Sequence, residues 1–198
     1  MSVPAITRLG RVGRWEPDAR GRLTSAALEL YADGGFERTT VADIATRAGV
    51  TERTFFRHFP DKREVLFDGS AELQRRVVGA IAAAPPELSP VDVVAGAFAA
   101  AAPLLQERGE FAGRRAAVIA TNPGLREREL LKLVTLGEAA AGALRARGVT
   151  DPAATLAAEA GVTVFKVGFE TWIAGGSPDL AGGIRDTLAA LKGLTAGP

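Results

Sequence analysis

The placement of proline constrains this chain more than any other feature. Proline is the residue least tolerated inside a helix and best tolerated at its first position, where the missing N–H leaves nothing unsatisfied. Glu16-Pro17, Ser89-Pro90, Asn122-Pro123, Asp151-Pro152 and Ser177-Pro178 each precede a helix-like stretch, and most begin with a side chain able to cap one. Ser89 has Asp92 three residues on, close to a capping box. About a fifth of the residues are alanine, the best helix former. β-Branched residues do not gather into alternating runs, so strands are not expected. The reading is all-α with about nine helices, over 18–33, 41–47, 52–57, 62–84, 90–107, 110–121, 123–147, 152–174 and 178–193. In it, the fourth starts after Asp61 with Glu64 completing a capping box, and Pro103 kinks the fifth.

Composition removes several kinds of chemistry. With no cysteine there are no disulfides, catalytic thiols or thiolate metal sites, and a single histidine, His58, excludes a multi-histidine metal centre. No catalytic constellation, metal site or cofactor is expected. The 24 Lys+Arg nearly cancel the 23 Asp+Glu, which excludes a uniformly basic coat. The first 63 residues nevertheless carry a small positive excess and the remainder a small negative one. No apolar run is long enough to span a bilayer, and the opening MSVPAITRLGRVGR has no apolar signal core. A cytoplasmic protein without membrane contact is expected.

Residues 36–62 read FERTTVADIATRAGVTERTFFRHFPDK. Thr40 precedes the apolar Val41, Ile44 and Ala45, with Asp43 as its capping-box partner. Gly49 can take positive φ and turn the chain between two short helices, and Thr51 caps the second. Phe55 and Phe59 face inward; Glu52, Arg53, Thr54, Arg57 and His58 are left outward. This is a helix–turn–helix whose second helix carries hydrogen-bonding groups suited to a major groove.

The stretch FERTTVADIATRAGVTERTFFRHFPDKREVLF resembles the DNA-binding segment of the tetracycline-repressor (TetR) family of transcriptional regulators. The likeness covers about residues 18–68 and rests on Gly-Phe, Thr-Thr-Val, Asp-Ile-Ala, Ala-Gly-Val, Thr-Phe-Phe-Arg-His-Phe and Asp-Lys-Arg-Glu. It implies a phosphate contact by Thr40, phosphate or base-edge contacts by Thr51 and Thr54, and backbone contacts by Lys62 and by His58 unless the latter only caps or packs, with guanine read by Arg53 and Glu52 either accepting from cytosine or stabilising the helix start. Arg57 belongs to the same face or to plain solvated surface. Phe56 stands where the family most often has tyrosine, so a hydroxyl contact is replaced by an apolar one or lost.

Residues 1–16, with Arg8, Arg11 and Arg14, read as a flexible basic arm, either a disordered leader or a segment that enters a minor groove; the resemblance implies a DNA-binding domain (17–63) and a ligand-binding and dimerisation domain (64–198). Candidates for the ligand site are Phe98, Phe111, Arg115, Val118, Ile119, Leu136, Phe165, Phe169 and Trp172, a mostly apolar set that suits an apolar or aromatic effector. Arg115 and Glu138 are the charged groups expected to orient it or to pair. The small-residue stripe Ala157, Gly161, Val164, Gly168 and Thr171 would let a second copy approach closely to form a homodimer, and a helix within the same chain could use it equally. The expected function is a ligand-responsive repressor of a double-stranded operator. The alternative is a small-molecule binding module or enzyme that keeps the helix–turn–helix only as scaffold.

Overall fold

A computed structural model describes residues 18–196: ten α-helices and one 3-10 turn, with no strand among the described residues. The helices are α1 (Ala19–Gly34), α2 (Val41–Arg47), α3 (Glu52–His58), α4 (Ser70–Ala83), α5 (Pro90–Ala101), α6 (Pro103–Gln106), α7 (Gly109–Ala120), α8 (Pro123–Ala146), α9 (Ala153–Ile173) and α10 (Leu180–Thr195); the 3-10 turn is Glu64–Phe67. Capping follows the sequence where the signal is local. Ser89 accepts from the Asp92 N–H and Asn122 from the Leu125 N–H, each with proline in the first turn. The basic arm and the Glu16-Pro17 pair lie outside the described residues.

Four expectations are corrected. The fourth helix is not continuous from 62 to 84. Asp61 does accept from the Arg63 and Glu64 N–H groups at 2.7 and 3.1 Å. The Glu64 carboxylate, however, turns to Arg128 and Lys132 instead of closing a box. The 3-10 turn then ends at Asp68, and Gly69, at φ +91°, breaks the path before α4 begins. At Pro103 the helix breaks rather than kinks, giving α5 and α6. Asp151-Pro152 is cis, and Pro152 precedes α9 instead of opening it, although Asp151 Oδ1 still accepts from the Thr155 N–H at 3.3 Å. Asp179, not Ser177, caps α10, accepting from the Gly182 N–H at 2.6 Å.

Two hydrophobic clusters organise the chain, and they do not follow the boundary expected at 63/64. One joins α1–α3 and the 3-10 turn through Leu23, Leu28, Tyr31, Phe36, Ile44, Phe55, Phe59 and Phe67, and it also takes in Val118, Ile119 and Leu125 of α7 and α8. The other joins α4, α5, the later part of α8, α9 and α10. Within it the helices meet at small residues. A Cβ on Gly161 would fall 2.2 Å from Val94 Cγ1, and one on Gly168 would fall 2.9 Å from the Ile184 backbone nitrogen. The end of α4 is finished from a distance: Arg147 donates to the carbonyls of Ile81, Ala82, Ala84 and Pro85 at 2.8–3.2 Å.

Candidate nucleic-acid interface

Helix α3 is held by its apolar side. Phe55 is fully buried and Phe59 nearly so, their rings 5.8 Å apart, and the Arg20 guanidinium lies 4.9 Å from the Phe59 ring centre. Thr51 caps the helix, its hydroxyl accepting from the Thr54 N–H at 3.2 Å and lying 3.1 Å from the Thr54 hydroxyl. The turn before it is tight: Gly49 has φ +66°, and the Val50 N–H donates to the Ala45 carbonyl at 2.9 Å. Arg22 of α1 donates to the Ala48 carbonyl at 3.0 Å, fixing that turn to the rest of the head.

The opposite side of α3 is open. Glu52, Arg53, Phe56 and Arg57 are all exposed and share one helical face, with Phe56 between the others and 54% exposed. A ring left in water amid charged groups is unusual for a residue that has a core to enter. His58 is only half-buried, and its Nε2 is shielded without a hydrogen-bond partner. At the start of α2 the expected box is complete. The Asp43 N–H donates to the Thr40 hydroxyl at 3.1 Å, and the Thr40 N–H donates to Asp43 Oδ2 at 2.9 Å. Hydrogen bonds from the Thr40 side chain and backbone hold the Asp43 carboxyl below its ordinary range.

Lys62 is engaged within the chain. Its ammonium turns inward onto the carbonyls of Phe36, Glu37 and Thr39, at 2.9, 3.3 and 2.9 Å, and lies 4.4 Å from the Phe36 ring centre. Its own carbonyl accepts from the Tyr31 hydroxyl at 2.6 Å. Burial, aided by Asp61, raises that phenol well above its usual pKa.

A joint that sequence reasoning missed fixes this head to the helices behind it. Asp68 pairs with Arg20 at 2.7 Å. Glu64 receives Arg128 at 2.5 Å and Lys132 at 3.0 Å. Burial pushes the Glu64 carboxyl up, but the hydrogen bonds from Arg128 and Lys132 outweigh it and hold the group below its ordinary range. Arg115 donates to the Leu66 carbonyl at 2.6 Å, pairs with Glu129 at 3.0 Å and covers the Phe67 ring. Its partner is therefore not Glu138, which is exposed. Burial draws the Arg115 guanidinium down from its ordinary pKa, with Glu129 opposing. The i, i+4 spacing of Arg128 and Lys132 was visible in the sequence; the acid they meet, more than sixty residues away, was not.

The expected ligand residues are divided between the two clusters. Phe98 and Phe165 stack at 4.7 Å in the rear cluster, continued by Phe169 and Trp172 and joined by Leu136. Phe111, Val118 and Ile119 belong to the front one. Val118 also borders a crevice of about 300 Å³ with Tyr31, Phe36, Glu37, Arg38 and Asn122. Trp172 reaches α7, where a Cβ on Gly109 would come within 3.2 Å of the indole.

The small-residue stripe is likewise corrected. Ala157, Gly161, Val164 and Gly168 are buried within the chain, facing α5 and α10, and are closed to a second copy; Thr171 alone is exposed. The outward stripe of α9 lies one residue back, at Leu156, Ala160, Thr163 and Val167, with Leu156 65% and Val167 41% exposed. The i, i+4, i+7, i+11 spacing of these four was present in the sequence.

Comparison with known proteins places both halves of the chain. A profile described as bacterial regulatory proteins, tetR family, matches residues 23–68, and one described as the MftR C-terminal domain matches residues 88–195. The HTH-type transcriptional regulator TcmR of Streptomyces glaucescens is 38% identical over 81 residues, which span 41% of this chain and 36% of TcmR. Thermus thermophilus FadR, a TetR-family transcriptional repressor solved with lauroyl-CoA, is 28% identical, with 87% of this chain and 92% of FadR covered at a TM-score of 0.52. The SmeT–triclosan complex shares the fold at 21% identity and a TM-score of 0.53, over 87% of this chain and 90% of that one. No described helix is long and apolar enough to cross a membrane.

Proposed function

The chain belongs to the tetR family of bacterial transcription regulators, and from that premise we propose that it is a cytoplasmic repressor, bound as a homodimer to a double-stranded operator and released by a small apolar effector. The observation that carries this reading is the exposed face of α3, where Glu52, Arg53, Phe56 and Arg57 stand clear of a helix anchored by Phe55 and Phe59. Arg53 offers a bidentate fork to guanine O6 and N7, and Phe56 offers an apolar surface suited to a thymine methyl. Thr40 and Thr51 stand at the helix starts, where backbone N–H groups and the helix dipole favour phosphate.

The reading requires a second copy, because two reading helices must sit about one DNA turn, roughly 34 Å, apart. The α9 stripe of Leu156, Ala160, Thr163 and Val167, beside the exposed Ala189, Ala190 and Gly193 of α10, is the face assigned to that contact. The effector is assigned to the rear cluster around Phe98, Phe165, Phe169 and Trp172, whose apolar lining suits an acyl chain such as that of the lauroyl-CoA bound by FadR. Such a ligand frees DNA only if it binds the DNA-incompetent arrangement more tightly.

The test is binding to the DNA upstream of the chain's own gene against a scrambled duplex at moderate salt, with and without lauroyl-CoA. Sequence preference that lauroyl-CoA weakens, and that coenzyme A alone does not, is expected. Equal binding to both duplexes would overturn the reading in favour of a binding module that keeps the head as scaffold. An Arg53→Ala change should cost about 1–3 kcal/mol and relax preference at one base pair; an equal loss on scrambled DNA would remove its base-reading role.

A further inference from the structure

Lys62 begins the connection that leaves α3, and its surroundings are those of an anchor. An ammonium has three donors and no acceptor. Here the three oxygens within reach are backbone carbonyls of one short segment, at 2.9, 3.3 and 2.9 Å, and the Phe36 ring backs the charge at 4.4 Å. That segment, residues 36–39, leads directly into Thr40, the N-cap of α2. Its beginning is tied separately: the Thr39 hydroxyl donates to the Gly35 carbonyl at 3.0 Å, and Gly35 turns the chain at φ +86°. Its end has Lys62. Without the cation, three carbonyl dipoles aimed at one point would repel each other, and the segment would open toward water.

Resting on the DNA-binding reading, we infer that Lys62 is a positioning residue that acts through segment 36–39. It holds the α2 N-terminus and Thr40 at the height where they meet the DNA backbone, and it does not itself contact phosphate. Rotating the ammonium outward to reach a phosphate would abandon three carbonyls that, among the described residues, receive no other side-chain cation. The placement also explains why lysine suits the position better than arginine: a compact ammonium fits a convergent set of single oxygens, whereas a planar guanidinium fits paired ones.

The experiment uses the full chain, a 30-base-pair random-sequence duplex and a salt series, with Lys62→Met and Lys62→Arg. Met keeps an apolar stem on Phe36 and removes the charge. An anchor predicts that both variants bind the duplex several-fold more weakly, that the slope of log affinity against log salt is unchanged, and that amide exchange at Thr39–Asp43 speeds up in the free protein. A direct phosphate contact predicts that Met lowers the slope by about 0.9, that Arg restores parental affinity, and that exchange stays as it was; that result would overturn the inference. Should the Met variant fail to fold, the Arg variant separates the two outcomes by itself. A parent chain that bound no duplex would end the DNA-binding reading and this role with it, whereas unchanged exchange would end the anchor alone.

Discussion

The front and rear clusters are built from different materials. The front one is aromatic, with Tyr31, Phe36, Phe55, Phe59 and Phe67 interlocked in a short stretch of chain. The rear one sets a single stacked pair, Phe98 and Phe165, among alanines such as Ala97, Ala101, Ala140, Ala154 and Ala158, and lets helices touch at glycine. Large rings give a small head a unique arrangement, because few packings accommodate them. Small residues give long helices close contact over many turns. A head of about fifty residues is near the lower limit for burying enough surface by itself. It completes its interior with Val118, Ile119 and Leu125 from helices distant in sequence.

That contrast can be broken experimentally. Phe55→Ala should produce the largest loss, about 3–5 kcal/mol in urea unfolding, with Ile119→Ala close behind at about 2–5 kcal/mol. The second change tests the borrowed interior. Amide exchange should accelerate in α1–α3, and acceleration confined to α7 and α8 would show that the head does not depend on the interior it borrows. Gly168→Ala should cost about 1–3 kcal/mol through crowding against the α10 backbone while leaving any dimer intact; a folded monomer by light scattering would return the small-residue stripe to the interface.

Smaller effects sharpen the comparison at the joint and at the outer surface. Glu64→Gln should cost about 1–2 kcal/mol near neutral pH. Because the folded carboxyl sits below its ordinary range, its contribution is complete above the unfolded pKa of about 4.3 and fades as acid protonates it in the folded state. Unfolding curves of parent and variant should therefore converge below that pH, and a constant gap would refute the ion-pair account. Leu156→Glu should leave monomer stability within about 0.5 kcal/mol yet dissociate the dimer in sedimentation; an undisturbed dimer would move the interface off α9.

What could be read in advance follows the range of the interaction. Helix α2 runs over the residues expected, and α3 is one residue longer, because Thr40, Asp43 and Thr51 act within three residues of themselves. The break at Gly69 was missed because glycine permits a positive φ without demanding it. Helical spacing places Gly161 and Gly168 on one face but says nothing of what that face meets, so an intramolecular seam and a dimer seam look alike. The same ambiguity scattered the ligand candidates, since Ile119 and Phe165 have equal claims until the chain is folded. Lys62 and Glu64 were placed by motif, and their partners lie across the fold.

The guanidinium of Arg147 has a consequence for how the chain can vary. By closing four carbonyls at the end of α4, it relieves residues 84–88 of any duty to terminate that helix themselves. Pro85, Pro86, Glu87 and Leu88 are exposed accordingly. This bend is where additions or deletions should be absorbed most readily, provided the one arginine on the far helix is kept.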